Sequence, residues 1–123
     1  MLIDDDEDDN FFHKMVLDRA ALAVTVKVAE SGQEAIEMLS RKDMSPELIF
    51  LDLNMPRLNG WEFLDKLNGI QLTVQPVIVV LTTAIRPFIE NSQVLHKISC
   101  FETKPLTNEK LKSIVSNHFG INL

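Results

Sequence analysis

The chain lacks several features that would mark particular classes of protein. It has a single cysteine, Cys100, so an intramolecular disulfide and a cysteine-based metal site are both excluded. Lys and Arg number 12 against 18 Asp and Glu, and this deficit of positive charge argues against direct binding to nucleic acid. No apolar run approaches the roughly 20 residues that span a bilayer, and the N-terminus lacks the basic and then apolar segments of a signal peptide. The sequence therefore predicts a cytoplasmic protein with no membrane segment.

What is present is one ordinary globular domain, residues 1–123, with a local excess of acid. The chain is 46% hydrophobic and 24% charged, which is typical of a soluble fold. Six of its acidic residues form one run, Asp4–Asp9, and without them 12 acidic residues balance 12 basic ones. The net charge of −6 thus comes from one place and needs a local explanation.

Short β-branched runs alternate with stretches of helical period, which favours a parallel sheet covered by helices on both faces. The predicted strands are Met1–Ile3, Val24–Ala29, Leu48–Leu51, Val77–Leu81 and Ile98–Phe101, and the first is expected to be the end of a longer strand. Five helices are predicted. The first runs from about Asp8 to Ala23, with Phe12, Val16, Ala20 and Ala23 on its apolar face, and the second begins at the capping box Ser31/Glu34. The third contains Trp61, Leu64 and Leu67, the fourth begins at about Pro87, and the fifth has Leu111, Ile114, Val115 and His118 on its apolar face. We expect a flavodoxin-like (βα)5 doubly wound sheet with strand order 2-1-3-4-5.

Polar residues follow the strands at the edge where such sheets place their sites. Asp4 and Asp5 follow the first strand, Asp52 the third and Thr82 the fourth, while the fifth runs into Lys104. Carboxylates packed together repel unless a cation sits among them, and an all-oxygen cluster suits Mg²⁺. A magnesium ion, a lysine and a hydroxyl around one carboxylate form an arrangement suited to phosphoryl transfer.

Four segments resemble the receiver domain of two-component response regulators. They are Leu2-Ile3-Asp4-Asp5-Asp6, Leu51-Asp52-Leu53-Asn54-Met55-Pro56 with Gly60, Val80-Leu81-Thr82-Thr83-Ala84, and Phe101-Glu102-Thr103-Lys104-Pro105. The likeness covers essentially the whole chain and implies that Asp52 accepts a phosphoryl group from a histidine kinase, a phosphotransfer protein or a small donor such as acetyl phosphate. It implies Mg²⁺ bound by Asp5, Asp52 and the backbone carbonyl of Asn54, with Asp4 holding a metal-bound water.

The resemblance also implies roles for the remaining motif residues. Lys104 and Thr82 would contact the phosphoryl oxygens, and the Lys104–Pro105 peptide would be cis. Phe101 would be the aromatic switch, although it lacks the hydroxyl of a tyrosine and would act by packing alone. Asn54 and Ala84 would tune the loss of phosphate. A downstream protein would then read the face made by the fourth helix, the fifth strand and the fifth helix, which is also a plausible homodimer surface.

Other interpretations bear on the same residues. A haloacid-dehalogenase type of phosphatase needs a second Asp two residues after its nucleophile, where this chain has Asn54. The chain ends after the fifth helix without a linker, which favours a stand-alone, non-enzymatic domain that acts through protein contact, although a fragment of a larger regulator or hybrid kinase would look the same. A scaffold receiver that is never phosphorylated is a further alternative. Asp6 to Asp9 are expected to be mostly a solvated charge patch. The three histidines are expected to be surface residues or residues of amphipathic helix faces.

Overall fold

The computed structural model describes residues 1–22, 24–42, 44–83 and 95–123. Five parallel strands form one sheet in the order β2-β1-β3-β4-β5, which confirms the predicted topology. The strands are β1 (Leu2–Ile3), β2 (Val28–Ala29), β3 (Leu48–Leu51), β4 (Val77–Thr82) and β5 (Cys100–Thr103).

Four α-helices accompany the sheet within the described residues. They are α1 (Glu7–Arg19), α2 (Gly32–Ser40), α3 (Gly60–Leu67) and α4 (Asn108–Phe119), and a single 3₁₀ turn covers Leu95–Lys97. The helix α4 corresponds to the fifth predicted helix, whereas the fourth, expected from about Pro87, lies outside the described residues. None of the helices in the described ranges is long and apolar enough to cross a bilayer.

Each α-helix begins at a side chain that accepts hydrogen bonds from its first turn. Asp6 caps α1, Ser31 caps α2, Asn59 caps α3 and Thr107 caps α4. These short polar residues satisfy N–H groups that would otherwise have no partner at a helix start. The local sequence therefore fixes where each of these helices starts.

The sheet separates two apolar cores, because successive side chains of a strand point to opposite faces. In β3, Ile49 and Leu51 pack on the side of α2 and α3, while Phe50 packs on the side of α1 and α4. The central strands are consequently apolar on both faces, as expected for a parallel sheet covered by helices. This double burial holds the carboxyl ends of β1, β3 and β4 in one rigid edge.

The first helix differs from its prediction in length and in orientation. It ends at Arg19 rather than near Ala23, and Ala20 is already extended with ψ 149°. Alanine favours helix, but the chain must leave the helix here to reach β2. Helix propensity is a local property and does not include this requirement of the tertiary structure. The predicted face is wrong for Phe12, which is 44% exposed, because the fully buried positions of α1 are Asn10, His13 and Leu17. Ala23 lies outside the described residues.

The two edge strands also differ from their predicted bounds. The strand β2 has only two residues, Val28 and Ala29, and β5 lies two residues later than predicted. In β5 burial alternates between half-buried and exposed residues. Because this edge strand is half exposed, it can contain the polar residues Glu102 and Thr103. A search for continuous apolar runs therefore finds central strands more accurately than edge strands.

Candidate functional site

The ends of β1 and β3 hold two aspartates side by side. Leu2 and Ile3 pair with Phe50 and Leu51, so the next residues, Asp4 and Asp52, are neighbours. The Asp52 N–H donates to the carbonyl of Ile3 at 3.0 Å, which extends the parallel ladder by one step. Both aspartate positions are therefore fixed by sheet backbone rather than by a loop.

Asp5 completes a group of three carboxylates. Ligand oxygens of Asp4, Asp5 and Asp52 all lie within 4.8 Å of one another. Asp4 and Asp52 are buried, at 5% and 7% exposure, while Asp5 opens to solvent. Oxygen donors that converge with one open side suit a hard cation such as Mg²⁺, which prefers a few carboxylates and keeps several water ligands. The predicted acidic cluster is thus brought together by the fold.

Lys104 supplies the positive charge of the site. Its Nζ lies 2.7 Å from Asp4 Oδ2, 2.7 Å from Asp9 Oδ2 and 3.5 Å from Asp52 Oδ2. Burial by itself would lower the pKa of Lys104. The hydrogen bonds to Asp4 and Asp9, together with the charges of Asp4 and Asp52, outweigh burial and raise that pKa above its ordinary value. The lysine is therefore a permanent cation among three carboxylates.

The Asp52 carboxylate is easier to protonate than a carboxylate in water. Burial raises the pKa of Asp52 from 3.8 to about 6, although the Asn54 N–H, which donates to Oδ1 at 3.1 Å, opposes the rise. The nearby charge of Asp4 adds to the increase, and Lys104 counters it. A second cation beside these oxygens would favour the ionised, nucleophilic form of Asp52.

The ends of β4 and β5 place Thr82 and Lys104 together. Thr82 is only 1% exposed and pairs with Thr103 in the last step of the ladder. The Lys104 N–H donates to the carbonyl of Thr82 at 2.8 Å. The Lys104–Pro105 peptide is cis, which confirms that prediction.

The loop after Asp52 is held tightly against α3. The Gly60 N–H donates to the carbonyl of Leu53 at 3.1 Å, and Asn59 and Glu62 form a capping box that starts the helix. A Cβ on Gly60 would lie 2.7 Å from Leu53 Cα and 2.8 Å from the Asp52 carbonyl oxygen. Only glycine permits this close approach, which sets the loop beside the acidic cluster.

Three predicted residues are exposed or lie outside the described chain. Phe101 is on the edge strand β5 and is 36% exposed, so its ring is open to solvent in this conformation. Asn54 is exposed, and Ala84 lies outside the described residues. The fourth predicted helix of the partner-reading face is likewise outside them, while its other two elements, β5 and α4, are described.

Residues of α1 form part of the site that the sequence interpretation missed. Asp9 contacts Lys104, although it was assigned to a solvated patch. His13 is 2% exposed rather than at the surface, and Asn10 Nδ2 donates to the carbonyl of Asp4 at 2.8 Å. The available signal was position: α1 begins directly beyond β1, so its first two turns lie over the same edge of the sheet.

Comparison with known protein families shows to which family the chain belongs. The family model of the response regulator receiver domain matches residues 1–116. The chain is a response regulator receiver domain. It is 25% identical to the sensor histidine kinase CheAY of Helicobacter pylori over 115 residues, which are 94% of this chain and 14% of CheAY. It is 40% identical to the nitrate/nitrite response regulator NarL of Escherichia coli over 65 residues, 53% of this chain and 29% of NarL. The receiver domain thus spans well under half the length of either relative.

Solved structures show the same architecture. The CheY-like receiver domain protein of Methanospirillum hungatei is 28% identical with a TM-score of 0.81, and the match covers 98% of this chain and 92% of that one. A two-component response regulator of Legionella pneumophila is 26% identical with a TM-score of 0.82, covering 98% and 96% of the two chains. The one from Cytophaga hutchinsonii has a TM-score of 0.84 at 24% identity, covering 98% and 95%, and shows the shared fold.

Membership gives this receiver domain the family's general role, which is to accept a phosphoryl group in two-component signalling. Family members bind Mg²⁺ in an acidic pocket, and Asp4, Asp5 and Asp52 form such a pocket here. They also interact with histidine kinases and with downstream partners.

Proposed function

We propose that Asp52 is the residue that accepts the phosphoryl group. Its carboxylate follows the central strand β3, is buried beside Lys104 and belongs to the three-carboxylate cluster. An Asp52 oxygen would attack the phosphorus atom of a phosphohistidine, form an acyl phosphate and displace the imidazole nitrogen, which keeps the electron pair of the broken P–N bond. Water would later hydrolyse the acyl phosphate to inorganic phosphate and restore the carboxylate. The protein's only chemistry would therefore be on itself.

The residues around Asp52 would hold Mg²⁺ and the transferred group. Asp5, Asp52 and the Asn54 carbonyl would be direct ligands, and Asp4 would hold a metal-bound water. The ion would neutralise charge on the phosphoryl oxygens. Lys104 would contact one of these oxygens and Thr82 would donate its hydroxyl to another, because both follow neighbouring strands whose ends are tied by a backbone hydrogen bond of 2.8 Å. Positioning and charge neutralisation supply most of the rate in such transfers.

The phosphorylated state would be read through a change in packing. Movement of Thr82 towards the phosphoryl group would leave room for Phe101, now 36% exposed, to turn inward. Such a switch shifts the population between two conformations by contacts made in only one of them. The face would include β5 and α4, and a downstream protein or a second copy of the chain would bind there. We further propose that the protein acts in the cytoplasm, together with the kinase that would supply the group.

The contact of Lys104 with Asp4 and Asp52 of the three-carboxylate cluster carries this proposal. It is tested by incubating the protein with acetyl phosphate, with and without Mg²⁺, and measuring intact mass. We expect a Mg²⁺-dependent gain of one phosphoryl group that is absent in Asp52→Asn and retained in Asp65→Asn, which neutralises an exposed carboxylate of α3. Phosphorylation of Asp52→Asn would contradict the assignment. If the wild type gains no mass but binds beryllofluoride, it rejects acetyl phosphate as a donor; failure in both tests would favour a scaffold receiver.

A further inference from the structure

The ammonium group of Lys104 is shared with a carboxylate that does not follow a strand. Its two shortest contacts, both 2.7 Å, are to Asp4 at the end of β1 and to Asp9 in the first turn of α1. Asp52, the proposed acceptor, is farther away at 3.5 Å. In this conformation the lysine therefore contacts Asp4 and the first turn of α1 more closely than it contacts Asp52.

The position of Asp9 is built into the helix start. Asp6 accepts hydrogen bonds from the N–H groups of Asp8 and Asp9 at 2.9 and 3.1 Å, which fixes the first turn. Asn10 donates to the Asp4 carbonyl at 2.8 Å and ties the same turn to the end of β1. Asp9 is half-buried, with a side chain 38% exposed, whereas Asp8 beside it is exposed. The contact between Asp9 and Lys104 is therefore positioned by the backbone on both sides.

A lysine ammonium has three donors, and two of them are directed at Asp4 and Asp9. A phosphoryl group on Asp52 adds close to two negative charges and three acceptor oxygens near the same ammonium. Nζ contacts Asp4 and Asp9 while it lies 3.5 Å from Asp52, so phosphoryl oxygens on Asp52 would compete with these two carboxylates for its donors. The carboxylates and the phosphoryl group would therefore share a single cation, the ammonium group of Lys104.

We propose that Asp9 is a positioning residue that competes with the phosphoryl group for Lys104. It holds the lysine towards α1 while Asp52 is unmodified, and it thereby lowers the affinity of the site for a phosphoryl group and shortens the life of the phosphorylated form. This inference rests on the proposed function, because it takes Asp52 as the acceptor. It adds a residue of α1 to the set that controls the equilibrium of the switch.

The test compares Asp9→Asn with Asp8→Asn. Both variants remove one negative charge from the first turn of α1, but only Asp9 contacts Lys104. Beryllofluoride, which forms a phosphoryl-like adduct with a carboxylate, is titrated by calorimetry at saturating Mg²⁺. We expect Asp9→Asn to bind it about three- to tenfold more tightly than the wild type, as for the loss of one partly exposed charge-assisted contact. Asp8→Asn should differ from the wild type by less than about twofold.

A third variant separates charge from shape. Asp9→Glu keeps a carboxylate near Lys104 and should bind beryllofluoride with an affinity nearer to the wild type than to Asp9→Asn. Unchanged or weaker binding in Asp9→Asn would overturn the inference, as would equal tightening in Asp9→Glu or in Asp8→Asn. If the wild type itself shows no Mg²⁺-dependent binding, the proposed function fails instead, so the two failures are distinguishable. Phosphoryl lifetime, followed by intact mass after removal of the donor, should be longer in Asp9→Asn than in Asp8→Asn.

Discussion

Neutralising Asp52 should stabilise the metal-free protein, even though it removes the proposed acceptor. The carboxyl group is buried, and its pKa is raised from 3.8 to about 6, chiefly by burial and then by the charge of Asp4. A folded-state pKa above the unfolded value means that the folded protein binds this proton more tightly than the unfolded chain does. Ionising Asp52 therefore costs folding free energy, and the cost grows as the pH rises from about 4 to about 6.

The size of the effect follows from that rise. A change from 3.8 to about 6 corresponds to about 3 kcal/mol, so we expect Asp52→Asn to raise the free energy of unfolding by about 1 to 3 kcal/mol above pH 7. Near pH 4 the wild-type carboxyl group is protonated in the folded state, and the two proteins should have similar stabilities. With Mg²⁺ the wild type gains stability by mass action, so the difference should shrink.

The assay is urea unfolding followed by circular dichroism at several pH values, with EDTA or with Mg²⁺. The matched control is Asp65→Asn, which neutralises an exposed carboxylate and should change the free energy of unfolding by less than about 0.5 kcal/mol. The reasoning is refuted if Asp52→Asn is no more stable than the wild type at neutral pH in EDTA. It is equally refuted if the gain is the same at pH 4 and at pH 8.

Three further substitutions test other parts of the site, each by urea unfolding. Lys104→Met leaves buried carboxylates without their cation and should cost about 3 kcal/mol in EDTA, a loss that Mg²⁺ partly restores. Gly60→Ala forces a Cβ against the backbone of the acceptor loop and should cost about 2 kcal/mol and slow phosphorylation. Gly69→Ala, whose Cβ would make only an ordinary contact of 3.5 Å with the Lys66 carbonyl oxygen, should do neither. Asp6→Ala removes the α1 cap and should cost about 1 kcal/mol, while Mg²⁺-dependent phosphorylation continues; loss of phosphorylation would place Asp6 in the chemistry.

The central strands could be predicted from the sequence because their burial leaves a simple pattern. The strand β3 has its predicted bounds, Leu48–Leu51, since both of its faces are covered. The edge strand β5 was misplaced because half of its residues are open to solvent, so an apolar run does not mark its limits. The edge strand β2 was predicted too long because the β-branched residues Val24 and Thr25 are exposed and lie outside the strand. The buried face of α1 was missed for a related reason: two of its positions, Asn10 and His13, are polar and carry no hydrophobic signal.

In the candidate site, too, some residues could be predicted from the sequence and others could not. Residues that follow strands, such as Asp4, Asp52 and Lys104, could be grouped from the sequence, because a parallel sheet brings strand ends to one edge. Asp9 could not, since its contact with Lys104 joins residues 95 positions apart through the packing of a helix on that edge. A prediction of the site should therefore include the first turn of a helix that begins next to a strand end, as well as the residues that follow the strands.

The separation of the two cores by the sheet has a consequence for optical measurements. The chain has one tryptophan, Trp61, and it packs against the core on the side of α2 and α3. Its fluorescence therefore reports on that layer, whereas far-ultraviolet circular dichroism sums over the helices of both. Comparison of the two signals during unfolding measures how strongly the strands couple one layer to the other, and superimposable curves would mark a single cooperative unit.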